Sequence, residues 1–130
     1  MNTPTPRFWA DLKSPDFARL DMGQTIAVLP LAAIEQHGPH LPLSVDTDLV
    51  NGVIAHALPY LAADLNVLFL PTQTVGRSIE HVAFPGTLTI SSAALIQAWV
   101  DLGECVARAG AKKLVLLNSH GGNVSTMDIV

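Results

Sequence analysis

Two polar strings, Ile34-Glu35-Gln36-His37-Gly38-Pro39-His40 and Asn118-Ser119-His120-Gly121-Gly122-Asn123, stand on either side of Asp46 in this sequence. Carboxylate and imidazole are donors that divalent Zn, Mn or Fe accept, and Glu35, His37, Asp46 and His120 form a set suited to a metal-activated water. A carboxylate can also bridge two ions, so that one generates hydroxide while the other polarises a carbonyl. Glu35 and His37 are two apart in extended chain and project to the same side. Spacing leaves plainer alternatives open. Glu35 and His37 could form a salt-bridged strand end, and His120 could open a helix by bonding the backbone. Asp48 is expected at a helix N-cap, although spacing permits it to exchange roles with Asp46. His40 is expected to support ligands rather than to be one.

These groups can meet only if the chain brings distant strings to one rim. In open parallel α/β sheets, loops converge beyond the carboxyl ends of the strands. Both strings follow apolar runs of strand type, residues 25–31 and 113–118, with a further run at 67–70 that Pro71 stops. A helix is expected from Asp48 to Leu65, packing through Leu49, Val53, Ile54, Ala57 and Leu61 and bent or shortened by Pro59. A second helix, capped by Ser91 or Ser92, repeats Leu95, Trp99, Leu102 and Val106 and closes at Gly110. Phe8 to Met22 reads as a short helical lead-in, and Thr72 to Thr89 as a long loop of the kind that often carries function. The alternation of strand and helix predicts an α/β fold with a mainly parallel sheet. The chain stops just after starting another helix, so residues 1–130 are expected to be one domain truncated at its C-terminal side.

Several side chains carry simpler expectations. Cys105 reads as a small core residue with no basic neighbour, Trp99 as core, Trp9 as cover for a subunit contact, and His56 as a surface histidine. The backbone N–H groups of Gly121, Gly122 and Asn123 are candidates for holding a substrate anion.

Composition narrows the class. The 130 residues are 49% hydrophobic and 14% charged, with net charge −4 and one cysteine, which argues against a disordered chain and an internal disulfide. Seven scattered Lys and Arg provide no footprint for nucleic acid. No run approaches the ~18 apolar residues of a membrane span. The first seven residues lack the basic-then-apolar order of a secretory leader, so a cytoplasmic setting is expected. A phosphate-binding α/β module using Gly121-Gly122 is a weaker alternative, and no glycine-rich fingerprint follows the first strand.

The string Glu35-Gln36-His37-Gly38-Pro39-His40-Leu41-Pro42-Leu43, the following Asp46, the segment His81-Val82-Ala83-Phe84-Pro85-Gly86-Thr87 and the final Asn118-Ser119-His120-Gly121-Gly122-Asn123 together resemble the creatininase (creatinine amidohydrolase) family. The resemblance implies a three-layer α/β/α fold, a site for two divalent ions, and hydrolysis of a C–N bond in a small cyclic amide or formamide through a metal-bridging hydroxide. It implies Glu35 and His120 on one ion, His37 on the other, and Asp46 between them as metal ligands and catalytic residues. A homo-oligomer, often a hexamer, is implied as well. Creatininase itself has a glutamate two residues after its last-motif histidine, where this chain has Gly122. A competing expectation is a truncated, non-catalytic homologue that binds a metal or a small molecule. His81 is a candidate proton donor to the leaving nitrogen.

Overall fold

Three parallel strands and the helices on their two faces position everything that follows. The computed structural model describes residues 5–130; residues 1–4, part of the start read above for a leader, lie outside the described residues. Strand β1 (Ile26–Leu31) is central, between β2 (Val67–Phe69) and β3 (Lys113–Asn118), giving the order β2-β1-β3. Ile26 pairs with both Val67 and Lys113, and Leu31 with Asn118. Pro30 is tolerated in this central strand because β2 ends at Phe69; its carbonyl accepts the Gln73 N–H at 2.9 Å.

Side chains alternate across β1, so its two faces meet different helices. Ala27, Leu29 and Leu31 pack with Leu95, Trp99 and Val106 of helix α2 (Ser92–Arg108). Val28 packs on the other face with Val50 and Ile54 of helix α1 (Val45–Ala57), together with Val67 and Phe69. The result is the expected α/β/α layering on a parallel sheet. Ser91 caps α2 by accepting the Ala94 N–H, and Gly110, at φ 99°, turns the chain out of it. On β3, Leu114 and Leu116 face α2 and Leu117 faces α1, while Val115 is left 45% exposed. No helix among the described residues is long and apolar enough to cross a membrane.

Several local expectations are corrected. The lead-in is two short 3-10 turns, Trp9–Asp11 and Ser14–Arg19, rather than one helix. Trp9 lies against Phe17, ring centroids 4.8 Å apart, and packs onto the α2-side core. Helix α1 begins at Val45, three residues before Asp48, and passes into a 3-10 turn at Leu58–Tyr60, where Pro59 sits. Its buried stripe is Asp46, Val50 and Ile54, whereas Leu49 and Val53, expected inward, are 56% and 58% exposed. Asp48 is therefore no cap: it sits exposed in the first turn and accepts the Ser44 hydroxyl. Cys105 is exposed, with Arg108 Nη2 donating to its sulfur at 2.9 Å, so it is neither core nor without a basic neighbour.

Candidate metal centre

The carboxyl ends of β1 and β3 are tied together directly. Ser119 N–H donates to Leu31 O, and the Ser119 hydroxyl reaches both Leu31 O at 3.1 Å and Asp46 O at 2.7 Å. One serine thus fixes the start of α1 against the ends of two strands. Glu35 is held by its backbone, its N–H donating to Leu43 O, while neighbouring Ile34 O accepts from Leu88 N–H. Asn123, fully buried, bonds Ala32 O and Asn118 Oδ1 through its NH2 and accepts the Arg77 N–H. That side chain ties the 72–89 loop to both strand ends.

Glu35, Asp46 and His120, each 5% exposed, converge so that their ligand atoms lie within 4.8 Å of one another. His120 Nδ1 stands 3.2 Å from Glu35 Oε1 and 3.1 Å from Asp46 Oδ2. The other ring nitrogen, Nε2, is 2.7 Å from Arg77 O. A carbonyl only accepts, so Nε2 carries a hydrogen; a ring with no second hydrogen then presents a lone pair at Nδ1 to the two carboxylates. His37 repeats the arrangement: Nδ1 lies 3.1 Å from Glu35 O and donates there, with Nε2 3.4 Å from Asp46 Oδ1.

Converging lone pairs repel unless something positive lies among them. Glu35 Oε2 and Asp46 Oδ2 are shielded from solvent and accept no hydrogen bond among the described residues. Buried carboxylate oxygens are costly without partners. Two imidazoles whose outer N–H groups are spent on backbone carbonyls are oriented as metal-ligating histidines are. The donor set therefore fits a divalent cation at Glu35, Asp46 and His120, with Asp46 offering its second oxygen toward His37.

The string positions are thus brought together at Glu35, Asp46 and His120, with the partly exposed His37 beside them. His40 is exposed and does not support the cluster. Of the suggested anion cradle, Asn123 N–H is used by His120 O, and the helix that follows, α3 (Val124–Met127), is a single turn. Sequence reasoning missed Glu80, whose Oε1 lies 3.8 Å from His120 Nε2 on a 3-10 turn at Ile79–His81. It also missed Ser119 and Asn123 as struts. The one available signal was the length of the 72–89 loop. Gly122 is required by close approach: a Cβ there would overlap Arg77 O and His120 Nε2 and lie 2.7 Å from Glu80 Oε1.

The family model described as creatininase, creatinine amidohydrolase, matches residues 10–130. The chain belongs to the creatininase family. Among its curated relatives, a mycofactocin precursor peptide peptidase of Mycobacterium tuberculosis is 37% identical over 123 residues, covering 90% of this chain and 49% of that protein. A creatinine amidohydrolase of Pseudomonas putida is 32% identical over 111 residues, covering 82% of this chain and 41% of that protein. A solved creatininase described with Mn superposes with a TM-score of 0.79 at 30% identity, over 94% of this chain and 50% of its own. A creatininase mutant described as Zn-Zn type gives 0.77 at 30% identity. The chain spans about half the length of the curated relatives it matches. These curated family relatives are hydrolases by name.

Proposed function

We propose that this chain carries the metal-binding part of a hydrolase that cleaves an amide C–N bond in a small or peptide-like substrate. The observation that carries the reading is the convergence of two buried carboxylates on His120 Nδ1. In this reading Glu35, Asp46 and His120 hold one divalent ion, zinc or manganese, and Asp46 shares its other oxygen with His37 at a second. Such ions supply Lewis acidity toward a carbonyl and an acidified water.

The chain's own residues do the rest. Arg77 O and Glu35 O hold the two imidazoles in the tautomers that face inward, and Ser119 anchors the helix that carries Asp46. Burial of Glu35 and Asp46 strengthens their pull on a cation. Two of the relatives are named for creatinine and for a precursor peptide, which supports an amide substrate, although a third is named for 3-dehydro-scyllo-inosose, which is not one. Exposed Leu49, Val53 and Tyr60 on and just after α1 support the homo-oligomer that the resemblance implies; the cytoplasmic setting belongs to the same reading.

Metal analysis of purified protein, joined to turnover on a panel of creatinine, small formamides and short peptides, tests the proposal. Bound divalent ion with metal-dependent hydrolysis of one panel member is the expected result. Metal binding without hydrolysis would favour the non-catalytic binder, and absence of metal binding would sink both readings.

A further inference from the structure

Three histidines face the acidic cluster, and their ring hydrogens sort them into two kinds. His37 and His120 spend their N–H on backbone carbonyls and turn lone pairs inward. His81 is turned the other way. Gly38 N–H donates to Gln36 Oε1 at 3.0 Å, which leaves the Gln36 NH2 facing His81 Nδ1, also at 3.0 Å. An amide NH2 only donates, so Nδ1 accepts and the neutral ring carries its hydrogen on Nε2. That nitrogen stands 3.9 Å from Glu35 Oε2, one of the buried oxygens without a hydrogen bond. A closing shift of about 0.7 Å would bring the pair within the N–H···O range.

We propose that His81 is a positioning residue for Glu35 and not a metal ligand. Gln36 sets its tautomer, and the Nε2–H directed at Oε2 steers Glu35 to ligate through Oε1. The inference rests on the metal reading of the cluster given above. Glu35, Glu80 and His81 do bring a second group of ligand atoms within 4.8 Å of one another. A cation held there by His81 would need a lone pair on Nε2, however. The hydrogen would then sit on Nδ1, set against the Gln36 NH2, and turning that amide over would set its NH2 against Gly38 N–H. The same ring cannot satisfy Gln36 as placed and bind an ion through Nε2.

NMR of the histidine ring nitrogens in the whole protein tests this directly, with His81 assigned by His81→Asn. In metal-free protein His81 is expected as the Nε2–H tautomer, and Gln36→Met should turn it into a mixture. On loading with cadmium, coupling to His120 Nδ1 is expected and coupling to His81 is not. Chelator competition should show His81→Ala binding zinc about 10–100-fold more weakly, with partial recovery in His81→Gln, whose amide can still donate. A His81 Nδ1–H tautomer, cadmium coupling at His81 Nε2, or unchanged zinc affinity in His81→Ala would each overturn the proposal. Absence of all cadmium coupling with the His81 tautomer as expected would instead locate the failure in the metal reading.

Discussion

Replacing Asp46 by Asn preserves shape while removing one of two buried carboxylates, so it should raise stability without metal while cutting the stabilisation that metal adds. The donor atoms of Glu35, Asp46 and His120 lie within 4.8 Å of one another. Two unit charges at that separation repel by about 3.5 kcal/mol at an effective dielectric near 20. Metal-free Asp46→Asn is therefore expected to be more stable than the parent by up to about 3 kcal/mol, a rise of several degrees in Tm. Bound ion offsets most of that advantage. At a free-ion concentration 1,000 times the parent's Kd, binding stabilises the folded state by about 4.1 kcal/mol; a variant binding 100-fold more weakly keeps only about 1.4 kcal/mol. Scanning calorimetry of both proteins after chelation and again in zinc or manganese measures the four values. The expected pattern is a higher metal-free Tm, a metal-induced rise cut to about a third, and loss of metal-dependent turnover. A metal-free variant that melts lower, together with an unchanged rise on metal addition, would refute the assignment of Asp46 as a ligand.

Two further substitutions test the scaffold behind the cluster. Gly122→Ala should destabilise the protein by about 1–3 kcal/mol and weaken metal binding, because the new Cβ meets backbone at Arg77 O as well as His120 Nε2; chemical denaturation with a chelator-competition assay checks both. Asn123→Ala removes three hydrogen bonds, one buried and two part-buried, and strands the Arg77 N–H and the Ala32 carbonyl, for a loss of about 2–4 kcal/mol. Faster amide exchange at Arg77 would accompany that loss, and an unchanged denaturation midpoint would contradict the strut role.

Much of this fold is legible in the sequence because the signals are local. Ile26–Leu31 is an apolar run that only a sheet covered on both sides can bury, and α2 repeats Leu95, Trp99 and Val106 on one helical face, whereas Lys113–Asn118, read as the same kind of run, forms a strand with no buried residue and Val115 exposed. The lead-in differs because Ser14-Pro15-Asp16, a cap followed by a proline, suits the start of a 3-10 turn as well as of an α-helix, and the chain makes two 3-10 turns. Cys105 failed because it neighbours the buried stripe in sequence, next to Val106, yet faces solvent.

Residue types and the strand ends they follow already assemble a set of candidate ligands, since carboxylate and imidazole chemistry belongs to the side chains wherever they lie. Which aspartate serves is a different matter. Helix α1 holds two stripes at the same spacing, 46/50/54 and 49/53/57, and nothing within thirteen residues says which one turns inward. Packing of Val50 and Ile54 onto Val28 makes that choice, and in doing so it carries Asp46 into the cluster and leaves Asp48 outside. The histidine tautomers likewise depend on carbonyls and amides that only the assembled loops supply, because a ring nitrogen takes or gives up its hydrogen according to the partner opposite it.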